Sequence, residues 1–170
     1  MMTRLSASIL SMPPEETGRA KPAIRPAQAA DIDDLVSLLR ILFAIEEDFE
    51  FDATRQRQGL SLMLDHDNAV VLVAEDDGRV IGMSTGQCTI STAEGGPALL
   101  VEDVVVADQW QGQGVGRQLM TALEEWAGER KIERLQLLAD RNNKNGLEFY
   151  KALDWQTTEL VCLRKRLAGY

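Results

Sequence analysis

The stretch VEDVVVADQWQGQGVGRQLM, residues 101–120, decides how this chain is read. A β-branched run at 104–106 leads through a polar turn into glycines at 112, 114 and 116, and then into a helical pattern. Glycine is among the poorest helix formers, so its repetition at a helix start needs a reason. A helix start leaves four backbone N–H groups without partners, and the helix dipole adds partial positive charge there. Because glycine has no Cβ, an anion can come close to those groups. QGQGVG is therefore a candidate phosphate cradle. The competing reading is a tight strand-to-helix turn that holds nothing. It is not a Walker A loop, because Arg117-Gln118 stand where Gly-Lys is required. The dinucleotide fingerprint also fails, since the third glycine comes one residue early.

The pattern on either side is mixed. Residues 1–22 hold Pro13, Pro14 and Pro22 without periodicity and read as a flexible tail, leaving one domain over 23–170. AIRPA is a short first strand. Over 31–48, Ile32, Leu35, Val36, Leu39, Leu42 and Phe43 recur at helical spacing, with Asp31 placed to cap the start. A second helix is expected over 54–65. Strands are expected over 69–76 and 79–90, joined by an Asp-Gly hairpin turn, and again over 98–106. After the glycines, Val115, Leu119, Ala122, Leu123 and Trp126 form the apolar face of a helix ending near Glu129. RLQLLA (134–139) reads as a buried strand, 143–153 as a short helix and LVCLRKRL (160–167) as a closing strand. The expected fold is α/β (α+β): a mixed, mostly antiparallel central sheet with helices on both faces.

Composition narrows the function. The chain has 170 residues, 45% hydrophobic and 26% charged, enough for one domain with a real core. No apolar run approaches the roughly 18 residues of a membrane span, and the first residues lack an apolar signal core, so a cytoplasmic protein is expected. A net charge of −9 disfavours nucleic acid and could draw a cationic substrate. Cys88 and Cys162 sit in apolar contexts and read as buried thiols. His66 lies in a polar turn and reads as a surface histidine. Neither zinc spacing nor a nucleophilic triad is present, so no metal is expected.

The glycine stretch resembles the acyl-CoA signature of the GNAT superfamily of N-acetyltransferases, through Gln111, Gly114 and Gly116. IRPAQAADIDDL resembles that family's opening. NKNGLEFYKALDW (143–155) resembles its second CoA motif, with Asn143 followed by Tyr150. The likeness covers roughly residues 23–168. Asp154-Trp155 replace the usual Gly-Phe, with Asp tolerant of unusual backbone angles and Trp keeping an aromatic plug. Gly146 replaces a small Ala, weakening its helix slightly and keeping room for cofactor.

The resemblance implies a splayed strand pair that binds acetyl-CoA. The diphosphate would lie on the N–H groups of Gln111, Gly112, Gln113, Gly114, Val115, Gly116 and Arg117. Arg117 could add charge to a phosphate or be a solvated first-turn arginine. The pantetheine arm would pair with backbone groups of Val104 and Val106, and an N–H near Val106 would hold the oxyanion. Asn143 would bind pantetheine or cap its helix. Tyr150 would be the acid that protonates the leaving thiolate, or an ordinary core tyrosine. Dimers are common among similar proteins, so a homodimer is expected.

The chemistry is direct attack of a primary amine on the thioester. A lysine-like amine with a pKa of about 10.4 must lose a proton and the thiolate must gain one. Glu102 is the candidate base. Strand alternation sends Glu102 and Asp103 to opposite faces, so that one lines the cleft while the other pairs or meets solvent. A half-buried carboxylate holds its proton more tightly, which suits a base. Asp103 is the substitute, and a structural ion pair is the alternative to any catalytic role. Substrate selection in the family falls to the first two helices and their loop. Here Glu46, Glu47 and Asp48, with Glu50 and Asp52 and interleaved Phe49 and Phe51, make an acidic collar for a polyamine, an aminoglycoside or a lysine side chain; the bland alternative is solvated surface. The other class left open is a non-catalytic acyl-CoA-binding sensor or interaction module.

Overall fold

A computed structural model describes residues 21–45 and 50–167. Five strands form one sheet in chain order: β1 (Ala23–Pro26), β2 (Ala69–Asp76), β3 (Arg79–Ser91), β4 (Gly96–Val106) and β5 (Leu135–Leu137). The first four are antiparallel neighbours, and β5 joins β4 in parallel. Asp77 and Gly78, at φ +48° and +74°, make the β2–β3 turn, the positive-φ pair that a tight hairpin prefers.

Helices cover both faces. On one lie α1 (Ile32–Phe43) and α2 (Ala53–Leu64), whose Leu35, Leu38, Leu39 and Leu60 pack against Val71, Val73, Met83 and Val105. On the other lies α3 (Val115–Glu129), whose Val115, Leu119 and Leu123 pack against Leu72, Ile81, Leu99 and Val101. Met120 and Ala127 are also buried, widening the α3 stripe beyond the expected face. Each large aliphatic side chain buried here stabilises the fold by roughly 1.5–3 kcal/mol. The short α4 (Lys144–Lys151) follows β5.

Asp31 stands just before α1 but makes no capping bond to it. Its carboxylate instead holds Arg25 of β1 through two hydrogen bonds of 2.8 and 2.9 Å and accepts the Gln28 N–H at 2.7 Å. Arg25 also donates to Glu75 of β2 at 2.7 Å. One guanidinium therefore ties the first strand, the second strand and the start of α1. Arg25 holds the Asp31 carboxyl below its usual range, against an opposing push from burial. A lowered folded pKa means that this stabilisation is present above the unfolded value and is lost as pH falls through the folded one. Asp31→Asn should lower stability at pH 7 by about 1–3 kcal/mol. That gap should narrow as pH falls below about 4, where the unfolded parent takes up the proton first and the folded carboxyl only at lower pH still; urea unfolding at pH 7 and at a series of pH values below 4 checks both.

Two expected strands differ. The strand expected over 134–139 reduces to three residues, of which Leu135 and Leu137 are half-buried and Gln136 is exposed. Residues 160–167 form no strand, leaving Leu160, Val161 and Leu163 exposed. A β-rich sequence becomes a strand only against a partner edge, and β5 offers three residues. Cys162 is consequently exposed rather than buried, while Cys88 is half-buried. Among the described residues no helix is long and apolar enough to cross a membrane.

Candidate active site

The site begins where β4 parts from β5. Their pairing runs only from Leu99↔Leu135 to Val101↔Leu137. Immediately beyond, the β3–β4 register slips: Gly86 pairs with Val101 and Ser84 with Val104. One residue of β3, Thr85, thus faces two of β4, Glu102 and Asp103, which is a β-bulge. The slip resets the side-chain alternation. Val101 and Val104 are three apart, yet both pack on the α3 side.

The bulge corrects the expectation that Glu102 and Asp103 take opposite faces. Glu102 accepts from Gln87 Nε2 at 2.8 Å, and Asp103 Oδ2 accepts from Thr85 Oγ1 at 3.1 Å. Gln87 and Thr85 share the face of Met83, which packs in the α1–α2 core. Both carboxylates therefore lie on the α1–α2 face. Glu102 is exposed rather than half-buried, and Asp103 is the half-buried one.

Past the bulge, among the described residues, no strand pairs with the β5 side of β4. The Ala107 N–H donates to the Ile81 carbonyl on the β3 side at 2.9 Å. Backbone groups alternate along an antiparallel ladder, so those of Val106 and Val104 turn away from β3, to the side that β5 has left. Gln111 crosses the following turn and donates through Nε2 to the Val106 carbonyl at 3.0 Å and to Asp108 at 3.2 Å. Buried Trp110 anchors this turn in the α3-side core.

The structure separates the roles of the glycines. Gly112 and Gly114 have φ of +73° and +81°, and nothing crowds the position a Cβ would take at either. Gly114 caps α3 without a side-chain bond. Among the described residues no N-cap side chain takes the first-turn N–H groups of α3, and the residues present fit an anion. Gly116 serves packing: a Cβ there would lie 3.1 Å from Phe149 Cζ of α4. Arg117 donates Nη2 to the Ala152 carbonyl at 3.1 Å, tying α3 to the end of α4. Lys21, which the sequence reading passed over, lines a small cavity beside the turn with Gln113 and Gln118.

Asn143 caps α4, its Oδ1 accepting the Gly146 N–H at 2.9 Å. The space left at Gly146 is filled by that cap, since a Cβ would meet Asn143 Nδ2 at 2.8 Å. At the other end, Trp155 N–H reaches the Tyr150 carbonyl and Asp154 N–H the Lys151 carbonyl, each at 3.1 Å. This ending needs a left-handed residue, and Asp154 supplies it at φ +65°. Trp155 packs against the α3-side core as the expected plug. Tyr150 is half-buried, with ring contacts to Phe149 at 5.2 Å and Trp155 at 6.0 Å.

Glu46, Glu47 and Asp48 lie outside the described residues. Glu50 is exposed, and Asp52 caps α2 by accepting from Thr54 and Arg55 N–H. Among the sites missed in sequence, Phe149 had a signal in its place beside Tyr150; Thr85 and Gln87 had none.

This arrangement has relatives. The sequence profile of the acetyltransferase (GNAT) family matches residues 33–155. An uncharacterised N-acetyltransferase of Archaeoglobus fulgidus is 28% identical over 138 residues, covering 80% of this chain and 94% of that protein. The aminoglycoside N(6')-acetyltransferase type 1 of Stenotrophomonas maltophilia is 26% identical over 143 residues, covering 82% and 90%. The solved aminoglycoside N-acetyltransferase AAC(6')-Iy, in complex with CoA, superposes with a TM-score of 0.74 at 18% identity, covering 85% of this chain and 93% of that one. With its profile spanning most of the sequence, the chain belongs to the acetyltransferase (GNAT) family of acyl-CoA-dependent enzymes.

Proposed function

We propose that the protein transfers an acetyl group from acetyl-CoA to a primary amine by direct attack. The observation that carries this reading is the free edge of β4 past Val101 running into the uncapped start of α3. Peptide groups of Val104 and Val106 would pair with the pantetheine arm, and the N–H groups of 112–117 would hold the diphosphate, the Gln111 N–H being already given to the Asp108 carbonyl at 3.2 Å. Lys21 is placed to add charge beside that turn. Asn143 keeps its Nδ2 donor for the arm while its Oδ1 caps α4.

The bound thioester supplies an activated acyl carbon. Glu102 would take the ammonium proton, directly or through water, freeing the nitrogen lone pair for attack. The Val106 N–H would stabilise the developing oxyanion. As the intermediate collapses and the C–S bond breaks, Tyr150 would give a proton to the departing sulfur and regain one, directly or through water, from the nitrogen that becomes the amide. The acceptor is a cationic amine: the chain carries a net charge of −9, Glu102 and Asp103 lie on one face, and aminoglycoside acetyltransferases are among the relatives. Glu46, Glu47 and Asp48 would add to that attraction.

Calorimetry with CoA, and thiol release from acetyl-CoA across aminoglycosides, polyamines and lysine peptides, test the reading. Gly114→Val puts a branched side chain into the open space at the α3 start, so the diphosphate loses its close approach to the N–H groups. It should weaken CoA binding by about tenfold or more, each tenfold being 1.4 kcal/mol. Unchanged affinity in this variant, or no thiol release on any amine, would count against the proposal.

A further inference from the structure

We propose that Thr85 is a positioning residue: it fastens the β4 bulge and, by engaging Asp103, leaves Glu102 as the group that takes the proton. The inference rests on the acetyl-transfer reading above and settles which of two adjacent carboxylates serves it.

A bulge removes a backbone N–H from the regular ladder. Thr85 replaces the missing partner. Its Oγ1 accepts the Asp103 N–H at 3.0 Å and donates to the Asp103 carboxylate at 3.1 Å. One hydroxyl thus closes a ring onto a single residue of the opposite strand. Thr85 is fully buried at 0% exposure, so water cannot stand in for it. Threonine is stiff at χ1, which keeps the hydroxyl aimed at the bulge.

The clasp fixes two features at once. It holds the register slip that sets Val104 and Val106 on the free edge. It also commits Asp103 to the strand interior, half-buried and bonded. Glu102, the other carboxylate of the pair, is exposed, and its contact is a single bond from Gln87 on the same face. Asp103 Oδ2 is already taken by Thr85, whereas Glu102 is exposed with one neutral donor and stands open to an incoming ammonium.

Thr85→Val keeps the shape and loses both bonds. It should lower kcat by about tenfold to a hundredfold, as a misplaced catalytic group does, with a smaller change in KM for acetyl-CoA. Thr85→Ser keeps the hydroxyl and should restore kcat to within about threefold of the parent, and Asp103→Asn should stay within about tenfold, well short of the 10²–10⁴-fold loss expected for removing a general base. A structural role alone would lower stability without changing the kcat of the folded enzyme. If Thr85→Val does not fold, Thr85→Ser and Asp103→Asn still decide: a parent-like pair supports the proposal, and loss of turnover in Asp103→Asn makes Asp103 the base and overturns it. If CoA binds and Glu102→Gln is inactive, yet Thr85→Val matches the parent in kcat, this inference fails while the acetyl-transfer reading stands.

Discussion

Tyr150→Phe should lower kcat by about 10²–10³-fold, within the range for losing a general acid. Affinity for CoA should hold, because the turn that would grip the diphosphate is untouched. The fold should hold as well. The ring contacts to Phe149 and Trp155 need no hydroxyl, and the α4 ending uses the Tyr150 carbonyl, not the phenol. Single-turnover thiol release and thermal unfolding separate these effects. The loss should be greatest for acyl donors with basic leaving thiols, which depend most on being protonated as they depart. A variant with parental kcat would make Tyr150 a packing residue.

Glu102→Gln should cost a comparable 10²–10⁴-fold in kcat/KM near pH 7. The amide can still accept from Gln87 Nε2, so the local bond survives while the proton-accepting charge disappears. The defect should shrink as pH rises toward the amine pKa of about 10.4, because more of the acceptor then arrives already deprotonated. A pH series of kcat/KM for parent and variant reads this directly. A defect that stays constant to high pH would point to lost substrate attraction rather than lost proton transfer.

Much of the architecture was legible because it rests on local chemistry. Asp77-Gly78 announces the hairpin, the spacing of Leu35 and Leu39 announces α1, and Asp154 can take the left-handed place usually given to glycine. The active-site faces were not legible. Alternation in twos assumes an unbroken ladder, and nothing in LVEDVVV marks that one residue is extra. Both carboxylates therefore fall on one face, and Glu102 is the exposed member. Gly116 carries a second demand that was hidden for a related reason. Its demand comes from Phe149, far away in sequence, and only tertiary packing reveals it. The C-terminal apolar run failed as a strand because pattern alone cannot supply an edge to pair with.

Phe149 seated on Gly116, and Arg117 reaching the Ala152 carbonyl, make the opening of α3 and the end of α4 a single lever. Whatever draws the α3 amides toward a diphosphate would also swing the phenol of Tyr150 with them. Grip on one end of the cosubstrate would then be geared to proton delivery at the other, and a fragment lacking the diphosphate would be a poor donor even when its thioester is intact.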